Sequence, residues 1–588
     1  MGQIAADVMI TRLAAWGVDT VFGIPGDGIN GIMEGMRRQS KKIKFILVHH
    51  EEAAAFMATA YAKQTGRIGV CLATSGPGAI HLLNGLYDAK LDHVPVLAIT
   101  GMQETSVLGT GYQQEVHLEH LFQDVAEYNQ MITNAAQLPA LVDIAIRTAY
   151  SRRGVAHLTL PNDIQIADAG DNPWPSVAPA NPPSTAPILW QPRVRPSDPE
   201  LDAAASILNQ AKKPAILAGI GARGASSLLE RLAETLGAPV IKTLSGKMVL
   251  PEDSPYTTGG IGLLGTGPTA DLIDEVDTLL MVGTNFPYTK HLPAPGRVKV
   301  VQVDIDPTRI GNRLPTDAPL VGDVSTTLEA LLPRLQVHSD HSHLNKYQHE
   351  MADWRDKMAA LESPERDPIA PQYVVSLLDE LAADDAVMTC DAGTIATWAA
   401  RHWTIRGNRE FYLSGNLASM APGLPYAIGI AHVNPGRQVI AYVGDGGFAM
   451  LMAELNTACR YRLPVKVIIN NNSSLGQILW EQMVLGYPEH GVRFENPQPD
   501  YAAWATACGG FGIRVDKADN LQVALSEALA SPGPAIVDVA VDPNEPPMPG
   551  KVTYEQAKKF TEAFLKGQPQ KAAIATTLFK DRIQQLKA

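Results

Sequence analysis

Short, nearly unbroken apolar runs recur along this chain, each followed by a longer stretch with apolar residues at helical spacing. In the first third the runs are 45–48, 70–74, 96–100 and 157–160. In the middle they are 215–220, 240–244, 279–283 and 300–304, and in the last third 387–391, 439–444, 465–470 and 535–541. Val, Ile and Leu without polar alternation suit strands buried on both faces, and their alternation with helices predicts parallel α/β sheets. Two interruptions divide the pattern. Residues 173–199 hold nine prolines in 27 positions, the composition of a semi-rigid extended linker. Residues 338–371 are polar and read as an irregular second linker. The pattern predicts three doubly wound parallel-sheet α/β domains at 1–172, 200–337 and 372–545, with a tail at 546–588.

Composition narrows the class. The chain has 588 residues, 45% hydrophobic and 19% charged, which fits sizeable cores and excludes a disordered or fibrous chain. With 48 basic and 61 acidic side chains the net charge is −13, an acidic balance that argues against nucleic-acid binding. Cys71, Cys390, Cys459 and Cys508 are far apart with no CxxC pair, as in a reduced, cytoplasmic protein. The first residues have helical rather than signal-type spacing, and no apolar stretch reaches membrane-spanning length. His338, His341, His343 and His349 cluster in the second linker, but no carboxylate or Cys pattern accompanies them, so they read as a solvated linker.

The sharpest chemical signal lies in the last third. A strand runs into Gly444-Asp445-Gly446-Gly447, and the next strand ends in Asn470-Asn471-Asn472-Ser473-Ser474-Leu475-Gly476. One βαβ crossover puts Asp445 and Asn472 at the carboxyl ends of neighbouring strands, where oxygen donors suit Mg²⁺ and glycines allow an anion to approach the backbone. A second Gly-Asp-Gly, at 26–28, has no Asn pair at that distance and reads as a loop opening a helix.

The Asp445–Asn472 spacing resembles the thiamine diphosphate motif. His49-His50-Glu51-Glu52, ATSGPGAIHLLNGLYDA (73–89) and DHVPVLAITG (92–101) resemble the pyrimidine-binding domain of the acetolactate synthase and pyruvate oxidase superfamily. The resemblance spans essentially the whole chain, in the order pyrimidine domain, central domain, diphosphate domain. It implies that Glu51 faces the aminopyrimidine and promotes loss of the thiazolium C2 proton, after which the ring serves as electron sink for a decarboxylating 2-oxo acid. It further implies that Asp445, Asn472 and Ser474 hold Mg²⁺, and that Gly393, Thr394, Gly444, Gly446, Gly447, Leu475 and Gly476 face the diphosphate. Met420 corresponds to the apolar wedge that bends the cofactor. The family's geometry implies a homo-oligomer, dimer at least and tetramer by custom, with Glu51 of one subunit facing the diphosphate site of another.

The central third resembles the FAD-binding segments of pyruvate oxidases and the quinone-dependent pyruvate dehydrogenase. The matching residues are Gly246, Lys247, Gly283, Thr284, Asn285, Phe286, Asp304, Asp306 and Asp323. Nine residues after Asn472, where acetolactate synthases carry Trp, this chain has Glu481 as oxidases do, with Trp480 beside it; Ile478 also matches oxidases. Gln114 corresponds to a shared active-site Gln. Gln113 and Gln477 stand where oxidases have Phe, so the implied substrate pocket (Gln113, Gln477, Ile478, Trp480) is more polar than theirs. In the tail, Ile574, Leu578, Phe579, Ile583 and Leu586 fall near one helical face with basic residues elsewhere, as in a helix lying on a lipid surface or packing on its own assembly. The implied activity is oxidative decarboxylation of a 2-oxo acid, pyruvate first, with electrons leaving FAD for quinone or oxygen. The alternative is an acetolactate synthase-type carboligase in which FAD is structural.

Overall fold

The computed structural model describes residues 3–168, 193–494 and 498–587. Most of the 173–199 linker therefore lies outside the described residues.

Among the described residues eighteen strands form three six-stranded sheets in which every strand pairing is parallel. The first sheet contains β1 (Thr20–Gly23), β2 (Lys44–Leu47), β3 (Gly69–Ala73), β4 (Val96–Met102), β5 (Ala126–Met131) and β6 (Val155–Pro161), in the order β2-β1-β3-β4-β6-β5. The second contains β7 (Pro214–Ala218), β8 (Val240–Lys242), β9 (Thr257–Gly260), β10 (Thr278–Val282), β11 (Lys299–Asp304) and β12 (Ala318–Val321), in the order β12-β11-β10-β7-β8-β9. The third contains β13 (Val387–Cys390), β14 (Glu410–Leu413), β15 (Val439–Gly444), β16 (Val465–Asn471), β17 (Phe511–Val515) and β18 (Ala535–Ala540), in the order β14-β13-β15-β16-β18-β17. Numbered within each domain, the first and third sheets share the order 2-1-3-4-6-5. The middle sheet has the doubly wound dinucleotide-binding order 3-2-1-4-5-6. Interior strands are largely buried; β3, β4, β6, β7 and β10 expose no residue, as helices on both faces require.

The first and third domains pack against each other through two helices. Glu51–Thr65 is buried continuously from Ala53 to Ala62, and Gly423–Val433 from Gly423 to Ala431. Small residues allow this closeness: a Cβ on Gly429 would stand 2.6 Å from the Met57 carbonyl. Lys63 closes the seam, donating to Asp92 (2.7 Å), the Tyr426 hydroxyl (2.6 Å) and the Leu413 carbonyl (2.9 Å).

Two expectations need correction. The 338–371 segment is not irregular: Ser342–Ala359 is an 18-residue helix whose Leu344, Tyr347, Met351 and Met358 are buried at helical spacing. The tail helix Lys571–Lys587 does not present its apolar residues on one face. Ile574 is buried and Leu578 packs on the core, alongside Thr577, which donates to Asp542 (3.0 Å), and Asp581, which pairs with Arg366 (2.6 Å). Phe579, Ile583 and Leu586 point outward. Arg366 also binds Asp542 and Glu545, so one guanidinium gathers three carboxylates. Among the described residues no helix is long and apolar enough to cross a membrane.

Candidate active site

The third sheet presents its chemistry at the carboxyl ends of β13, β15 and β16. Asp445 opens the Asp445–Leu451 helix directly after β15, and is 1% exposed. Its Oδ2 is buried without a hydrogen-bond partner among the described residues, as are Ser474 Oγ, Asn470 Oδ1 and Asp391 Oδ2. Such orphans are rare in native cores, and four beside one another's loops mark a site built for something else. Burial pushes the pKa of Asp445, and likewise of Asp391, up to about 7. Asn472 Oδ1 accepts the Ser474 N–H (3.1 Å) across a turn in which Ser473 is left-handed. Gly476 is required there, since a Cβ would stand 2.6 Å from Asn472 Nδ2. A Cβ on Gly393 would meet open space, and one on Gly444 only the Ile395 side chain at 4.0 Å, so both border open space. A cavity of about 10 Å³ beside them is lined by Thr394, Asn470, Asn472, Asp542 and Glu545 among others. Hard, unpartnered oxygens fit a Mg²⁺–diphosphate pair.

Met420 is half-buried in a loop bracketed by two left-handed alanines, Ala418 (φ 56°) and Ala421 (φ 73°). Each such residue costs on the order of 1–3 kcal/mol and persists only where neighbours over-determine it. Asp391 supplies that restraint, its Oδ1 accepting the Gly423 N–H at 2.7 Å.

In the first domain Glu51 begins its helix and is 8% exposed. Its Oε2 lies 2.9 Å from His81 Nδ1, and Gly78 leaves room for Oε1, from which an added Cβ would stand 3.1 Å. His81, at the end of the Pro77–His81 helix, escapes a reading of the sequence because only the packing of that helix beside Glu51–Thr65 brings it to Glu51. Ligand atoms of His50, Glu51 and His81 lie within 4.8 Å of one another. The two imidazoles are nevertheless stacked, 4.5 Å apart at 26°. Their in-plane lone pairs do not converge on one ion, so this is a hydrogen-bonded cluster and not a metal centre. Gln114 is left-handed (φ 62°) and accepts from Ser75 Oγ (3.3 Å), while Gly76 packs on it. Gln113 is exposed on the same loop, which Glu115 organises by accepting the N–H groups of Gly109, Gly111 and Tyr112.

On the Gly476–Val484 helix, Gln477 donates to Glu481 (2.9 Å) and Ile478 is 45% exposed. Trp480 does not join them. It is 5% exposed, turned toward the tail and stacked on Phe560 at 6.3 Å. Among the described residues no hydrogen bond or ion pair joins Glu51, His81 or Gln114 to Asp445, Asn472, Ser474 or Gln477.

The central sheet changes winding direction between β7 and β10. There Gly219 and Gly221 after β7, Gly246, and Gly283 (φ 58°) after β10 come together: a Cβ on Gly221 would stand 2.8 Å from the Gly283 Cα, and one on Gly246 2.9 Å from the Gly219 Cα. Gly219 and Gly221 are a glycine-rich turn the strand pattern hid. Asn285 Oδ1 is buried and unpartnered, next to Thr284, and Asp304 is 6% exposed at the end of β11. Phe286 packs in the domain core. Asp306 accepts from Thr308 and Arg309. Two predicted dinucleotide contacts are otherwise engaged. The Lys247 ammonium is buried on Glu252 (2.8 Å) and the Ala400 carbonyl (3.0 Å), and Asp323 caps the Val324–Leu331 helix by accepting from Thr326 N–H (3.0 Å).

Three family models match this chain. The N-terminal TPP binding domain of thiamine pyrophosphate enzymes matches residues 4–121, the central domain 201–331 and the C-terminal TPP binding domain 391–539. A Bacillus subtilis protein named for thiamine pyrophosphate, YdaP, is 44% identical over 96% of this chain and 96% of its own length. The pyruvate oxidase of Lactiplantibacillus plantarum is 34% identical over 94% of this chain and 91% of its own. The acetolactate synthase of Arthrospira platensis is 34% identical over 92% and 94% respectively.

Proposed function

Because this chain belongs to the thiamine pyrophosphate enzymes of the acetolactate synthase and pyruvate oxidase superfamily, we propose that it oxidatively decarboxylates a 2-oxo acid, pyruvate first, using thiamine diphosphate, Mg²⁺ and FAD. The observation that carries this reading is the set of buried, unpartnered oxygens at the ends of β13, β15 and β16. Thiamine diphosphate supplies a nucleophilic carbon and an electron sink, and FAD a two-electron acceptor. Asp445, Asn472 and Ser474 hold the cation, and Gly393, Thr394 and Gly444 border the space for the diphosphate; Gly446 and Gly447 instead make room for protein, since a Cβ there would stand 3.0 Å from the Phe494 ring and 2.2 Å from Asp391 Oδ2. Glu51 shares a proton with the aminopyrimidine. Met420 shapes the cofactor from its strained loop. Gln113, Gln114, Gln477, Ile478 and Glu481 face the substrate. The glycines between β7 and β10, with Asn285 and Asp304, receive the flavin dinucleotide, and electrons pass on to quinone or oxygen.

A second copy of the chain completes the site. Both halves carry exposed apolar residues beside their polar groups: Ile80 and Tyr112 in the first domain, Met450 and Ile478 in the third. Phe579 and Leu586, 67% and 70% exposed, with Lys571, Lys580 and Arg582 on the same helix, support peripheral contact with an anionic lipid surface.

Relatives named acetolactate synthase align over the same length, and they support carboligation with a structural flavin as the second reading. Mixing the cofactor-loaded protein with pyruvate without oxygen separates the two. Bleaching of the flavin is expected; CO2 release with acetolactate or acetoin and an unbleached flavin would install the second reading.

A further inference from the structure

A carboxyl that shares a proton with a ring nitrogen must present one particular oxygen, and its other oxygen must be held. In this chain Glu51 Oε2 is held by His81 Nδ1 at 2.9 Å, while Oε1 receives no hydrogen bond from any described residue and lies over Gly78. His81 is itself fixed. Its ring stacks on His50, and His50 caps the Glu51–Thr65 helix by accepting the Glu52 N–H on Nδ1 (3.2 Å). With Nδ1 accepting, the His50 ring is held in place by the helix it caps. Both imidazoles are partly open to solvent, with 39% and 44% of their side chains exposed.

We propose that His81 is a positioning residue for Glu51: by donating from Nδ1 to Oε2 it leaves Oε1 as the oxygen that carries the shared proton. The inference rests on the proposed thiamine chemistry and deepens it. His81 neither touches the reacting carbon nor supplies the proton. It fixes which oxygen of Glu51 does so and stops the carboxyl rotating.

The test uses the full chain loaded with thiamine diphosphate and Mg²⁺, and needs no substrate. Hydrogen–deuterium exchange at C2 of the bound cofactor is followed by acid quench and NMR, with cofactor affinity titrated separately. H81F keeps a stacking ring but no donor; H81N returns an N–H near the Nδ1 position. H81F is expected to slow exchange about 10–100-fold, with cofactor affinity within a few-fold, as for other groups that orient a reacting side chain. H81N is expected to recover most of the rate. Exchange at the wild-type rate in H81F, or exchange in H81N as slow as in H81F, overturns the proposal. E51Q exchanging as fast as wild type, or a wild type that binds no cofactor, would instead overturn the thiamine reading beneath it.

Discussion

The first and third sheets are wound identically, yet their strand ends are furnished in opposite ways. After β3, the Ser75-Gly76-Pro77-Gly78 turn is satisfied by its own domain: Ser75 bonds Gln114 and Gln103 (both 3.3 Å), and Gly28 N–H donates to Thr74 (3.1 Å). After β13, β15 and β16, which include the equivalent third strand, Asp391, Asp445, Asn470 and Ser474 each keep a buried oxygen without a partner. The sheet supplies an address at its carboxyl edge, and the loop residues decide whether the address is closed by protein or left for a ligand. One half is thus a finished hydrogen-bonded surface; the other keeps buried oxygens without a partner among the described residues.

This contrast divides the expected effects of mutation into rate and affinity. The largest is D445N, which removes the carboxylate proposed to hold the cation. Activity at ordinary Mg²⁺ should fall more than about a hundredfold, largely as lost cation and cofactor affinity measured by titration. E51Q should lower turnover by a comparable factor, ~10²–10³, while cofactor affinity stays within a few-fold. Equal loss of affinity in both would erase the distinction. Co-expressing the two variants sharpens it. If the halves meet across a two-fold interface, random pairing restores about a quarter of wild-type activity, because half the dimers carry one intact site. No recovery would place both halves within one chain.

A smaller effect concerns pH. Burial raises the folded-state pKa of Asp391 and Asp445 from 3.8 to about 7, so the empty fold holds protons that the unfolded chain has released. Cofactor-free stability should therefore fall as pH rises from about 4 to 7, and the slope should flatten in D391N/D445N or with saturating Mg²⁺ and thiamine diphosphate. Thermal midpoints between pH 5 and 8 check this; a flat empty wild type would contradict it. Smallest is S474A. Removing an unpartnered buried hydroxyl should stabilise the empty protein by about 1 kcal/mol while weakening cation binding several-fold. A loss of stability would mean Ser474 has a structural partner.

The interior strands were legible because Val, Ile and Leu run through them unbroken. Those missed were chiefly at sheet edges: β5 (AEYNQM), β9 (TTGG), β12 (APLV), β14 and β17 are covered on fewer sides and carry polar, glycine or proline residues that break the run. Interior β1 escaped as only four residues, TVFG. The run at 215–220 extended two residues too far and absorbed Gly219, hiding the turn before Gly221; β7 ends at Ala218. The Ser342–Ala359 helix was masked by histidines and charges around its sparse apolar positions. In the site, Asp445 and Asn472 could be read because one crossover fixes their relation. His81 could not, since only the packing of two helices brings it to Glu51. Trp480 was misassigned because spacing along a helix does not say which face meets the tail.

The helix pair joining the first and third domains sets a timetable. The apolar Glu51–Thr65 helix leaves the ribosome early, but the Gly423–Val433 helix that covers it follows about 370 residues later. At roughly 5–20 residues per second, that surface waits about 20–70 seconds for its own chain. During that interval the face that the later helix covers stays open, and the partly made chain carries an apolar surface prone to aggregation.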